Sequence, residues 1–396
     1  MKKMRNQKTL VKINPKVLKW TIDSSGWSIK ELSKKTEIEP DQITQWQSKT
    51  SSIELPKLER IASSLKKPLA VFFLPEPPKE KNLTDYRKIA GFENEKLSKK
   101  TLDAIRNARY IQSNAHELFE LQKMNDTPDV EYVTLKDDPE EIALYQRRKL
   151  NFEFEIINEN GRTIKKPIQR VYSELREKIE SMNILVLQSN MSINEARGFS
   201  LTDKFPRIVV VNSADDIKPR IFTLLHEYAH ILLKKDGICL PNSENFHSNS
   251  NEIQLIEKWC NAFAGSLLMP KKEFLIELTS NEEKFEDSRK VIENLSKKFR
   301  VSKKATIVRI LNLSANPSYK KMYLEYYDKI IWESPTKPKK KGGGAISQAD
   351  KCISQKGKKY VRLVSDSKNK QLITTNSMIS YLNLKIKHFD KLQSKI

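Results

Sequence analysis

The chain has 396 residues and is strongly basic, with 72 Lys and Arg against 50 Asp and Glu and a net charge of +22. This length allows two or three domains with sizeable cores, and the charge favours anionic partners such as nucleic acid or simply a soluble surface. No apolar run reaches the roughly 20 residues of a membrane span, no signal peptide is evident at the start, and three scattered cysteines do not form a disulfide framework. We therefore expect a soluble cytoplasmic protein without a membrane partner.

Periodicity and composition predict a mainly α fold with a small β-sheet, an α+β architecture in five segments. Two of the boundaries are marked by a proline-rich stretch at 74–79 and by a run of lysines and glycines at 335–344, neither of which continues a helix. The predicted segments are an N-terminal helical domain at 10–75, a linker and helical connecting region at 76–169, a larger domain at 170–333, a flexible basic linker at 334–344 and a small basic C-terminal module at 345–396.

The N-terminal segment has the pattern of short helices around one small core. Ser28 followed by Glu31 is a capping box at the start of one helix, and further helices are predicted to begin at Pro40 and Pro56. Apolar positions at helical spacing supply the predicted core: Leu32, Ile38, Ile43, Trp46, Leu58, Ile61 and Leu65.

This pattern resembles a helix-turn-helix domain of the repressor (XRE) type. The resemblance implies that the helix from Pro40 enters the major groove of DNA, with Gln42, Gln45 and Lys49 on base edges. The segment departs from the family at Glu37, where a glycine is usual in the turn. Eleven basic and seven acidic residues give 10–75 a net charge of only +4, so a fold kept for protein contact is the alternative to DNA binding.

The apolar stretch at 220–233 predicts a buried helix that carries His226, Glu227 and His230. Residues four apart lie on one face of a helix, so both imidazoles can reach one zinc ion. Glu227 beside them is placed to act as general base for a metal-activated water. The alternative interpretation is a chance pair of core histidines.

A third protein ligand is needed, and Glu257 is the best candidate. It lies on a predicted helix that stops at Pro270 and whose small residues would allow close packing against the histidine helix: Ala262, Ala264 and Gly265. A carboxylate on that surface is costly unless a cation meets it. The alternatives are a solvated surface Glu257 and three rival ligands: Cys239, His247 and Cys260.

Together these motifs resemble the ImmA/IrrE family of zinc metallopeptidases. The resemblance rests on the stretches 198–201, 206–212, 226–230, 257–264 and 267–270 and covers roughly 170–333. It implies Zn²⁺ held by His226, His230 and Glu257, catalysis by Glu227, and cleavage of a repressor or antitoxin-like protein in a stress, mobile-element or toxin–antitoxin circuit. The ligand types alone would also accept manganese or iron.

Two other interpretations of the whole chain stay open. In the first, the protein is a DNA-binding regulator that uses the zinc fold as a sensor or structural module. In the second, it is an antitoxin-like protein that works by stoichiometric binding. Retention of Glu227 favours proteolysis, because a purely structural metal site needs no general base.

The remaining elements are a long helix at 99–124, a helix at 168–182, strands at 184–187 and 207–212, and helices at 283–299, 302–311 and 319–332. The tail from 335 to 396 contains fifteen basic and three acidic residues, a net charge of +12. This charge points to DNA or an acidic partner at the C-terminus, or to a solvated lysine-rich face.

Overall fold

A computed structural model describes residues 9–77 except 24, 26, 49, 50, 66 and 68; 97–124; 130–157; 162–235; 237–239; 251–313 except 286; 317; 321; and 346–396. It divides into two compact units, Met1–Ile105 and Arg106–Ile396. The described residues are mainly helical with small sheets, which confirms the predicted fold class. None of their helices combines the length and apolar character of a membrane span.

The described elements are numbered in chain order. The helices are α1 Pro15–Asp23, α2 Ile29–Thr36, α3 Pro40–Ser48, α4 Leu55–Leu65, α5 Lys99–Leu121, α6 Pro139–Lys149, α7 Ile168–Ser181, α8 Ile217–Leu232, α9 Asn251–Leu268, α10 Lys271–Lys284, α11 Ser288–Lys298, α12 Lys303–Leu313, α13 Gln348–Lys356, α14 Lys358–Asn369, α15 Thr375–Leu382 and α16 Phe389–Gln393. The strands are β1 Leu10–Ile13, β2 Ser51–Glu54, β3 Glu155–Ile157, β4 Thr163–Lys165, β5 Ile184–Ser189, β6 Gly198–Leu201, β7 Arg207–Asn212 and β8 Gly237–Cys239. The predicted helix at 319–332 lies outside the described residues.

The first unit is a small helical core closed by a strand pair. All seven predicted core positions are buried, and the capping box of Ser28 and Glu31 starts α2 as predicted. The antiparallel pairing of β1 with β2, in which Leu10 lies opposite Glu54, was not predicted, because β2 is only four residues long and contains a single apolar residue, Ile53.

The turn between α2 and α3 has the backbone geometry for which a glycine is usual. Glu37 has φ 56° and ψ 39°, the left-handed conformation that glycine adopts at no steric cost. Its exposed side chain lies 3.9 Å from Arg60. The chain therefore keeps the glycine-type turn geometry with a residue that is strained in it.

The second unit is organised by a sheet with strand order β5-β7-β6-β8. Strand β5 runs parallel to β7, whereas β6 is antiparallel to both β7 and β8. Helix α8 packs on β7 and β6, and α9 packs against both α8 and α6. The sheet thus supports α8, the helix that carries His226 and His230.

The C-terminal helices α13–α16 pack on the second unit, with α13 against the edge strand β5 and α14 against α7. Arg176 donates a hydrogen bond of 2.7 Å to the carbonyl of Ser354. Glu180 of α7 accepts a 3.3 Å hydrogen bond from the backbone N–H of Lys359, in the first turn of α14. The C-terminal module is therefore held by buried polar contacts.

Candidate metal centre

A glycine allows the histidine helix to lie close to the sheet. A Cβ on Gly198 of β6 would lie 2.5 Å from Thr223 Cγ2 and 2.8 Å from the carbonyl oxygen of Val210. No side chain fits in that space, so α8 approaches β6 closely at the turn that precedes His226. At Gly265 of α9, by contrast, an added Cβ would have no heavy atom within 4 Å.

Helices α8 and α9 bring three potential ligands to one point. The Nε2 atoms of His226 and His230 lie 3.2 Å apart. Each lies 3.3 Å from a carboxylate oxygen of Glu257. Both imidazoles are buried, and the Glu257 side chain is 17% exposed. The three residues form a group that can hold a metal ion.

The spacing and chemistry of this group fit a metal. Ligands on a tetrahedral zinc with bonds of about 2.0–2.1 Å lie roughly 3.3–3.4 Å apart, close to the separations seen here. Two imidazole nitrogens and a carboxylate oxygen are also donors that zinc accepts. Burial disfavours the charge of Glu257, yet hydrogen bonds from His226 and His230 outweigh it and hold the pKa of this carboxyl well below its usual value.

Glu227 has the environment expected of a general base. Its side chain is fully buried beside the histidines. Burial raises the pKa of Glu227, and the neighbouring His230 and His226 oppose that rise only in part. A raised pKa brings a carboxyl closer to the range in which it can both accept and return a proton. Tyr228, by contrast, donates a 2.8 Å hydrogen bond to Gln146 in the core.

Two further residues of α9 support the histidines: Asn261, which the sequence did not single out as functional, and Cys260, which it offered as a rival ligand. Asn261 Oδ1 lies 3.0 Å from Nδ1 of His226, and the buried thiol of Cys260 interacts with His230. The signal that could have found Asn261 is its spacing of four residues from Glu257. Of the rival ligands, Cys260 is a neighbour of His230, whereas the Cys239 side chain and His247 lie outside the described residues.

The predicted DNA contacts lie on α3 in the first unit. Gln45 is exposed and Gln42 half-buried, while Ile43 and Trp46 on the opposite face are buried in the core. Lys49 lies outside the described residues. This face can contact a partner, and DNA contact by Gln42 and Gln45 stays a prediction.

Comparison with known proteins gives one family match. Residues 179–311 match the family Peptidase_M78, described as the IrrE N-terminal-like domain. No curated protein and no solved structure matches the chain. The matched segment lies within the predicted domain at 170–333 and contains His226, His230 and Glu257. Residues 179–311 are therefore similar to the IrrE N-terminal-like domain of the Peptidase_M78 family.

Proposed function

We propose that the second unit is a zinc-dependent endopeptidase of the HExxH type. The observation that carries the proposal is the triangle of His226, His230 and Glu257, with ligand atoms 3.2–3.3 Å apart. Glu227, next to His226 on the same helix, is not one of the three candidate ligands. A site that only stabilised the fold would not require a buried carboxyl in that position.

Zinc bound by the three ligands would supply a Lewis acid that activates water and polarises the scissile carbonyl. Glu227 would take a proton from the attacking water and then pass it to the leaving amine. Its full burial makes the charged form costly, so that accepting a proton is favourable. Glu257 keeps its charge, which balances the cation.

We propose further that the substrate is a regulatory protein, of the repressor or antitoxin-like kind that the ImmA/IrrE resemblance implies. A helix-turn-helix domain of the XRE type at 10–75, with DNA contacts through Gln42 and Gln45, would couple cleavage to a DNA site. The capped α2, the glycine-type turn at Glu37 and the exposed face of α3 support this part of the proposal. The basic C-terminal module would add a second surface that binds an anionic partner.

A second candidate is a DNA-binding regulator or antitoxin in which the metal fold does not cleave anything. The exposed face of α3 and the net charge of +22 favour it. The two candidates differ in the role of Glu227, since only a peptidase needs this carboxyl for more than packing.

The substitution Glu227→Gln separates them. The zinc-loaded parent and the variant would each be incubated with a complex mixture of protein-derived peptides, with new termini identified by mass spectrometry. We expect the variant to keep its zinc and to lose cleavage by at least about 100-fold, the contribution of a positioned general base. Equal cleavage by both proteins would contradict the role of Glu227, and no cleavage by the parent would favour the second candidate.

DNA binding has its own test, a mobility-shift assay with random-sequence duplex at two salt concentrations. Binding that weakens steeply with salt is expected from a protein that displaces counterions. Absence of binding at both concentrations would contradict the DNA-binding role of residues 10–75 and of the C-terminal module.

A further inference from the structure

Helix α9 contacts the His226 imidazole from two sides. Glu257 lies 3.3 Å from Nε2 of this ring, and Asn261, one turn later on the same helix, places Oδ1 3.0 Å from Nδ1. Phe222, one turn earlier on α8, stacks on the ring with a centroid distance of 6.4 Å. The orientation of His226 is therefore fixed at both ring nitrogens and on one face.

These contacts define where the proton of the ring lies when a cation is bound. A neutral imidazole carries one N–H, and the other nitrogen is an acceptor. Nε2 of His226 faces His230 and Glu257 and must be free of a proton to bind a metal. The proton then lies on Nδ1, where the amide oxygen of Asn261 accepts its hydrogen bond at 3.0 Å.

The second histidine is held differently. Nδ1 of His230 has no hydrogen-bond partner among the described residues, and its neighbour on α9 is the thiol of Cys260, a weak acceptor. The pair is thus asymmetric, because an amide oxygen contacts His226 whereas a thiol neighbours His230. Loss of the group next to Nδ1 should therefore weaken metal binding more at His226 than at His230.

We infer that Asn261 is a positioning residue that holds His226 in the metal-binding tautomer and orientation, and so sets the metal affinity of the site. The inference rests on the proposed function and adds Asn261 to its required residues. Partners behind metal-bound histidines fix the tautomer and raise ligand basicity, and their loss commonly weakens metal binding by about 10–100-fold.

The test compares Asn261→Leu with Asn261→Asp in the full-length protein. Leucine has nearly the shape of asparagine but no acceptor, whereas aspartate keeps an acceptor oxygen. Zinc affinity would be measured by competition with a chromophoric chelator, and the cobalt-substituted protein would report ligand geometry through its visible absorption. We expect Asn261→Leu to bind zinc about 10–100-fold more weakly with an altered cobalt spectrum, and Asn261→Asp to stay within a few-fold of the parent.

Asn281→Ala is a matched control, because the side chain of Asn281 donates within its own helix, to the carbonyl of Glu277 at 2.7 Å, and lies on a helix other than α8 and α9. It should leave zinc affinity unchanged. If Asn261→Leu does not fold, Asn261→Ala replaces it with the same expectation. Unchanged affinity in the acceptor-free variant, or equal weakening by Asn261→Asp, would overturn the assignment of Asn261. A parent that takes up no zinc would overturn the proposed function as well, so the two failures are distinguishable.

Discussion

Two carboxyl groups of the second unit, the partly buried Glu257 and the buried Glu180, lie in opposite electrostatic surroundings. Glu257 meets two imidazoles at 3.3 Å, and these contacts hold its pKa well below the usual value despite burial. Glu180, at the contact between α7 and the C-terminal module, is 3% exposed. Burial raises the pKa of Glu180 although Arg176 lies 3.4 Å away.

The difference shows what each carboxyl contributes. At the metal centre the charge is favoured, as a cation site requires. At the junction, Glu180 accepts a hydrogen bond from the first turn of α14, and its main contribution is geometric fit against Gly357. A buried carboxyl therefore indicates a cation site only when its partners favour the charged form.

The largest expected effect comes from Gly357→Ala, which would break the junction and leave the metal centre intact. Gly357 has φ +83°, and a Cβ there would lie 2.1 Å from Glu180 Oε1 and 2.9 Å from the carbonyl oxygen of Val186. Backbone strain and overpacking together should lower the free energy of unfolding by roughly 2–5 kcal/mol, measured by urea denaturation.

Gly265→Ala is the matched control for this substitution. Its new methyl group would meet no heavy atom within 4 Å, and alanine is favoured over glycine inside a helix by about 1 kcal/mol. The control should therefore be neutral or stabilising. Equal stability of the two variants would show that Gly357 does not hold the module.

Addition of zinc should stabilise the protein through the metal centre, to which Glu257 contributes. Zinc at about 100 times its Kd should raise the free energy of unfolding by about 2.7 kcal/mol, because it binds the native state only. Glu257→Ala should abolish this gain, whereas Glu180→Gln should keep it. Thermal unfolding with and without zinc is the measurement, and an equal gain in Glu257→Ala would remove Glu257 from the ligand set.

The pH dependence of stability sharpens the comparison. Because the pKa of Glu180 is raised in the folded state, its contribution to stability is fully present below the unfolded pKa of about 4.3. That contribution is lost as the pH rises through the folded pKa. Glu180→Gln cannot ionise, so its stability relative to the parent should increase as the pH rises through this range. Urea unfolding at several pH values tests the sign, and a constant difference would contradict the shift.

The smallest expected change in stability concerns Glu37, whose carboxyl is exposed. Glu37→Gly should raise the stability of the first unit by about 1 kcal/mol, since glycine adopts the φ of 56° without strain. Glu37→Ala removes the same side chain but keeps the Cβ, and should give no gain. Equal stability of the two variants in thermal unfolding would show that the turn is not strained.

The candidate site could be predicted from sequence where its geometry is local. The spacing of His226 and His230 on an apolar helix fixes their common face, and Glu257 follows from a charged residue on a second apolar helix. The 3.0 Å contact between Asn261 and His226 depends on how α8 and α9 pack, which one helical pattern does not encode.

The contacts between distant segments could not be predicted in the same way. The junction of Glu180 with Gly357 joins residues far apart in the chain, and the three-residue strand β8 pairs with β6, which lies about 40 residues earlier. The close approach of α8 to the sheet at Gly198 also depends on tertiary packing. Helices with clear periodicity, such as α5 and α7, were predicted nearly to their ends.

The central claim is the metal centre, and the most direct test is the metal content of the purified protein beside His230→Ala and Glu257→Ala. We expect about one zinc per chain in the parent and its loss, or much weaker binding, in both variants. No bound metal in the parent and no uptake on adding zinc, or undiminished zinc in either variant, would contradict the site.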